Sequence, residues 1–383
     1  MTYKLFYTWW RSIDKILIIL SLLLLIIGLN LVFTSSIAIS NKLNVSNYYF
    51  VKKQLYYGLL GLGLMCFIST LKEKDIIKLI FTGLLLSIFF SSLLTFFGSE
   101  VNGSKRWIKI FNIAFQPSEF LRTFFICCSS FLLHLNFFTK RKKLLIACFT
   151  LFLLVISFLL IQPDIGMTII VTSSFIFQCF ISGLSIIVVI ISIINILALA
   201  IILYYLFPHV SYRINNFLQS KVSYQVSNAL KAFNKGGLSG SGLGKGTIKQ
   251  YLPDCHTDFI FAVACEECGV VFCIFILFLF IFLVIKTLYK SIKTSNSFCS
   301  ICISSLSFSI GVQVLINMSV NLNIIPPKGI TLPLISYGGS SLISTFISLG
   351  IILALGKRNV SYEPYRLRHF FLILNSRKRK TKH

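Results

Sequence analysis

"LPDCHTDFIFAVACEECG", Leu252 to Gly269, leads out of a polar stretch into an apolar run, residues 259–285, long enough to cross a bilayer. The same stretch holds Asp254, Asp258, Glu266 and Glu267, four of the chain's eleven acids, together with His256. Acids this scarce, set into sequence otherwise suited to lipid, ask for a purpose. Outward from here the pattern repeats: 56% of the 383 residues are hydrophobic and only 12% are charged, outside the range of soluble globular domains and inside that of polytopic membrane proteins. A bilayer core about 30 Å thick takes roughly 20 apolar residues per helix. Ten such segments stand near 16–35, 54–70, 76–97, 118–138, 144–162, 167–183, 185–208, 259–285, 298–322 and 337–356. The expected fold is therefore all-α, a single transmembrane domain over 1–358, with a large loop near 209–258 and a basic tail over 359–383. The sixth segment is short, flanked by Pro163 and Gly166, and reads as a broken or tilted helix.

The net charge of +25 forms no compact basic domain with interleaved aromatics, so no nucleic-acid partner is expected. It reads as topology instead. With the N-terminus inside, 22 of the 36 basic residues fall in inner loops and the tail against 13 outside and Arg122 in a helix, which the positive-inside rule favours. Both ends are then cytoplasmic, the tail "RKRKTKH" lies near anionic lipids, and the first apolar stretch, lacking a small-residue cleavage site, is a retained helix. Eleven cysteines build no disulfide framework; Cys265-x-x-Cys268 and Cys299-x-x-Cys302 have a metal or redox spacing but lie in apolar sequence without nearby histidines, and read as small buried hydrophobes.

Polar chemistry gathers in four outer places. "NGSKRWIKIFNIAFQPSEFLR", Asn102 to Arg122, sets Lys105, Arg106 and Trp107 at a membrane surface, then uses Pro117 to start a helix on which Glu119 and Arg122, three apart, share a face. Charges inside a bilayer cost several kcal/mol and either mark function or form a structural pair. "QPDIG", Gln162 to Gly166, offers Asp164 as helix cap or as functional acid. "KGGLSGSGLGKGT", Lys235 to Thr247, packs six glycines into eleven positions but misses a Walker pattern at Ser239 and Gly246. It remains either a flexible loop or a cradle in which bare N–H groups with Lys245 and Lys249 hold a pyrophosphate. "NIIPPKGITLPLISYGGSS", Asn323 to Ser341, with Lys328 and Ser336, is irregular backbone at membrane depth, tolerated only where it packs in protein or lines a wet cavity. In the opening stretch Pro253 and Thr257 suit a helix start, so Asp258 is expected in the first turn, held ionised by the helix dipole, with Glu266 and Glu267 about 12 Å further along.

Four of these stretches in chain order, "GSKRWIKI…QPSEF", "QPDIG", "LPDCHTDFIFAVACEECG" and "PPKGITLPLISYGGSS", resemble the SEDS family (shape, elongation, division and sporulation proteins), and the likeness runs from the Trp9-Trp10-Arg11 region to about Arg358. Thr331, within Lys328 to Pro333, is similar to the cell-division branch; the elongation branch usually has Pro there. The resemblance implies a peptidoglycan glycosyltransferase that polymerises lipid II on the outer face of the bacterial cytoplasmic membrane at the septum, working with a class B penicillin-binding protein and other division membrane proteins. It implies Asp258 as the acid that activates the acceptor hydroxyl, directly or through a divalent cation such as Mg²⁺ or Mn²⁺. Inverting transfer needs one general base and stabilisation of the leaving pyrophosphate. Lys105, Arg106, Lys245, Lys249 and Lys328 are the cationic candidates for that anion, with Trp107, Gln116 and Ser336 in the same substrate-binding set. Glu119, Arg122, Glu266 and Glu267 are expected to form one buried network below the cavity. Two positions depart from the family: Arg122 stands where many relatives have Lys, and Ala114 where some division members have Arg. A lipid II transporter, a division scaffold without chemistry and the elongation polymerase remain as alternatives.

Overall fold

The structure, a computed structural model, describes residues 7, 9–97, 99–101, 104–110, 113–139, 142–184 and 224–357 and five isolated positions between 190 and 215. Contacts divide the chain into residues 1–13 with 357–383 and residues 14–356, and every element named here lies in the second unit. The expected seventh segment, 185–208, the loop residues Tyr212 and Arg213 and the tail 359–383 lie outside the described residues apart from those isolated positions.

In chain order the elements are α1 Lys15–Lys42, α2 Tyr49–Thr70, α3 Glu73–Phe97, β1 Ser99–Val101, β2 Ser104–Ile110, β3 Ile113–Phe115, α4 Pro117–Thr139, α5 Lys142–Ile161, α6 Ile165–Ile181, α7 Tyr224–Gly236, a 3₁₀ turn Ile248–Gln250, α8 Ile260–Ile292, α9 Ser297–Asn321 and α10 Gly339–Leu355. Nine of the ten expected apolar segments are thus helical, and among the described residues six helices (α1, α3, α4, α5, α8 and α9) are long and apolar enough to cross a membrane. To the all-α body the structure adds one small antiparallel sheet, β1-β2-β3. Its central strand is the "SKRWIKI" stretch, whose Trp107, Ile108 and Ile110 are residues that favour a pleated surface. The sixth segment is an unbroken seventeen-residue helix, because Asp164 caps it by accepting the Met167 N–H at 3.3 Å.

α10 and α2 make the most extensive helix pair. Their backbones approach closely at small residues: a Cβ on Gly350 would lie 3.1 Å from the Met65 main chain, and one on Gly61 would fall on the Phe346 ring. α10 is only seventeen residues long and buried along almost its whole length, since the irregular segment 322–338 covers the rest of the depth. That segment is packed in protein: Gly28 of α1 lets the Ile335 main chain come within 2.7 Å of where a Cβ would stand, and Gln54 of α2 donates to the Ile335 carbonyl at 3.0 Å. All eleven cysteines are free thiols, nine of them buried.

α8 departs from a continuous span. Gly269 has φ 84° and ψ 172°, which breaks the helix nine residues in. The freed main-chain groups are taken up by the glycine loop: Ser241 and Gly242 N–H donate to the Glu266 and Glu267 carbonyls, both at 2.9 Å, and Val270 N–H donates to the Gly237 carbonyl at 2.9 Å.

Candidate functional site

Asp258 lies in the turn that precedes α8, with Phe259 as the helix N-cap. The turn is held by its own carbonyls. Tyr337 N–H donates to His256 O at 2.9 Å, Ser336 Oγ to Thr257 O at 2.5 Å, and Asn317 and Asn321 Nδ2 both donate to Asp258 O at 2.9 and 3.0 Å. The Cys255 thiol fixes the other edge by donating to Ser35 O of α1 at 3.3 Å. With the main chain so committed, the Asp258 carboxyl points away from it: a Cβ at Gly329 would lie 3.3 Å from Oδ2, so the glycine of "PPKGI" leaves room for the acid. Asp258 was expected ionised in a first helical turn. The helix instead starts two residues later, and burial pushes the carboxyl up to about 7, with Asp254 raising it further and Arg106 pulling it down.

Arg106, on β2, is the cation that lowers the Asp258 carboxyl. Its guanidinium donates to Pro163 O and pairs with Asp164 at 3.6 Å, while its buried Nε has no partner among the described residues. Asp164 also accepts Ser118 Oγ at 3.1 Å and Gln116 Nε2 at 3.4 Å, and the Gln116 N–H reaches Ser340 Oγ at 3.0 Å. Asp164, read as helix cap or functional acid, caps α6 and also pairs with Arg106. Gln116, expected to bind substrate, belongs to this web. Trp107 is half-buried on β2 opposite Ser99; Lys105 stands opposite Glu100, its side chain outside those described.

Glu119 and Arg122 pair at 3.2 Å in α4, both almost fully buried. Arg122 also donates to Gln313 Oε1 of α9, whose amide nitrogen donates to Thr331 O at 3.1 Å, and Thr331 Oγ1 donates to Ser341 Oγ at 2.8 Å. This network ties α4, α9 and α10 to the irregular segment, as expected for two of the four named residues.

Glu266 and Glu267 do not join it. They end the short first part of α8 and face the glycine loop. Glu266 Oε1 accepts the Thr247 and Ile248 N–H at 2.7 and 2.8 Å, Oε2 accepts the Lys249 N–H at 3.0 Å, and Lys235 pairs with it at 3.5 Å. Glu267 pairs with the buried Lys249 ammonium. The loop is therefore a cradle of bare N–H groups, but the anion it holds is the chain's own Glu266. Its glycines answer to packing: a Cβ on Gly246 would lie 2.9 Å from the Glu266 carboxyl, and one on Gly240, which has φ 78°, would fall on the Glu267 carbonyl. Lys249 is accordingly no pyrophosphate contact, and Ser336 spends its hydroxyl on Thr257 O and the Leu332 N–H at 2.8 Å. Lys245 is exposed on the loop, and half-buried Lys328 adjoins Gly329 beside the acid.

His256, without an assigned role in the sequence, is buried between Phe50 and Tyr337, ring centroids 4.8 and 5.4 Å away, and burial lowers its pKa to about 4. Asp254 accepts Gln225 Nε2 at 3.3 Å, and its carboxyl is raised by burial. Among the described residues no group of three His, Cys, Asp or Glu converges on a metal position, so these residues alone form no complete cage for a divalent cation. Gln313, Asn317 and Asn321 were not singled out as site residues. Their four-residue spacing on one face of an apolar helix is the signal that marks them.

The family model described as "Cell cycle protein", FTSW_RODA_SPOVE, matches residues 14–360. The chain is 35% identical over 354 residues to the "Probable peptidoglycan glycosyltransferase FtsW" of Caulobacter vibrioides, covering 91% of this chain and 90% of that one. It is 34% identical over 366 residues to the protein of the same name in Haemophilus influenzae, covering 90% and 91%. Among solved structures it is similar to a chain of a peptidoglycan synthase complex that coordinates polymerization and crosslinking, with TM-score 0.74, 24% identity and coverage of 90% and 97%. It is also similar to the rod shape determining protein RodA of Thermus thermophilus, with TM-score 0.67, 24% identity and coverage of 91% and 97%.

Proposed function

The chain belongs to the FtsW/RodA/SpoVE family of cell cycle proteins, and from that premise we propose that it is a peptidoglycan glycosyltransferase whose general base is Asp258. The substrate is lipid II and the product a septal glycan strand. The observation that carries the assignment is the Asp258 carboxyl itself: its turn is fixed by four hydrogen bonds to main-chain carbonyls, its side chain is left free to work, and its pKa lies near 7. A base poised there takes a proton most effectively at neutral pH.

In the reaction the acceptor's sugar 4-hydroxyl attacks the donor's anomeric carbon, the C–O bond to the undecaprenyl pyrophosphate breaks, and the configuration inverts. Asp258 takes the hydroxyl proton. Negative charge grows on the pyrophosphate, and Arg106, with Lys328 as a further cation, receives it. Arg106 is held for that task by Pro163 O and Asp164, which leaves its unpartnered Nε–H as a donor. The site faces the outer leaflet, and a class B penicillin-binding protein cross-links the strands. The likeness to a chain of a peptidoglycan synthase complex supports that pairing.

The test uses the purified full-length protein with its transpeptidase partner and fluorescent lipid II. Asp258→Asn yields no glycan polymer while keeping the wild-type unfolding midpoint at acid pH. Polymer at the wild-type rate removes Asp258 as base, and lipid II crossing liposomes without polymer favours a transporter.

A further inference from the structure

The glycine loop presents an apolar surface that the catalytic reading does not use. Leu238 and Leu243 are 76% and 64% exposed, flanked by exposed Lys231 and Lys245.

The depth of this surface follows from hydrogen bonds. Lys286 of α8 pairs with Asp14 at the start of α1 at 3.9 Å, which sets those residues level at one end of the bundle. At the other end Cys255 is bonded to Ser35 O of α1. Asp14 to Ser35 is about 32 Å of helix, close to the thickness of the hydrocarbon, whereas Lys286 to Val270 is only about 24 Å. The short part of α8 beyond Gly269 must then climb only about 8 Å, so it runs obliquely near the boundary. Val270 N–H donates to Gly237 O at 2.9 Å and Val271 N–H to Leu238 O at 3.4 Å, which sets the loop beside it at the same height. Val271 of α8 is itself 63% exposed, so the leucines continue an exposed apolar face of a helix long and apolar enough to cross a membrane.

We infer that residues Gly237–Lys245 form a membrane-docking loop, with Leu238 and Leu243 in the acyl region of the leaflet and Lys245 on the phosphate of an anionic phospholipid. Apolar side chains beneath a cation suit an anionic bilayer surface. A second protein covering the loop is the competing occupant. The loop holds Glu266 and Glu267 at one end of the short helix whose other end follows Asp258, so the bilayer surface sets the height of the acid above the lipid.

Full-length protein in nanodiscs tests this without relying on activity. Leu238→Trp and Leu243→Trp each add a fluorophore. Brominated phosphatidylglycerol should quench about half or more of the added emission, aqueous acrylamide little of it, and Lys231→Trp should show the reverse. Quenching of the leucine replacements by acrylamide but not bromolipid overturns the inference, and so does shielding from both, which would mean a protein cover. Lys245→Glu should abolish any gain in unfolding midpoint on moving from phosphatidylcholine to phosphatidylglycerol discs; a gain kept in full removes the lysine from the docking surface.

Discussion

The Asp258 carboxyl stands at about 7 because burial and Asp254 raise it while Arg106 lowers it, and polymerisation by a general base must follow its ionisation. The ionised fraction is about one-eleventh one unit below that pKa and about ten-elevenths one unit above, so the rate at saturating lipid II should rise roughly tenfold between pH 6 and pH 8. Two substitutions move this limb in opposite directions. Arg106→Gln removes the cation and shifts it to higher pH; Asp254→Asn removes a neighbouring negative charge and shifts it to lower pH. With Arg106 in its proposed role at the leaving group the variant's rate falls as well, and the position of the limb is the readout. The assay follows gel-resolved glycan from fluorescent lipid II at fixed ionic strength, with the partner present. A rate flat across this range, or both variants moving the limb the same way, refutes the reasoning. Stability carries the opposite sign. The unfolded carboxyl titrates near 3.9 and the folded one near 7, so between them only the folded state binds the proton; the contribution is full at low pH and lost as pH rises through 7. Asp258→Asn should remove that decline.

Two further outcomes concern the buried charges. Glu266→Gln turns one of two accepting oxygens into a donor facing the Lys249 N–H, and should cost about 2–4 kcal/mol, seen as a lower unfolding midpoint in detergent; an unchanged midpoint removes the carboxylate as anchor of the loop. Arg122→Met strands Glu119 and should cost about 3–5 kcal/mol, most of it recovered by adding Glu119→Leu; a double variant no more stable than the single contradicts a paired origin.

Helices and motif order were legible because hydrophobic length and Pro/Gly punctuation are local properties, and nine of the ten apolar segments are helical as expected. Partner choice was not legible. Glu119 and Arg122 were found because they are three apart on one helix, but Glu266 and Glu267 meet residues from a loop some twenty positions earlier, and no periodicity encodes that contact. Lys249 looked like an anion binder on charge alone, and Glu267 is the anion it holds. Asp258 shows the same limit in electrostatics: proximity to a helix start suggested an ionised acid, whereas desolvation, a property of the whole packing, outweighs the dipole.

The break at Gly269 also bears on the order in which the protein can be made. The loop that completes the interrupted ladder, Gly237 to Gly242, is synthesised before Glu266 to Val271 leave the ribosome, so donors exist before the carbonyls that need them. A rearranged chain that moved the loop behind α8 would insert a helix with an open ladder at the lipid boundary and delay its closure until the loop had been synthesised.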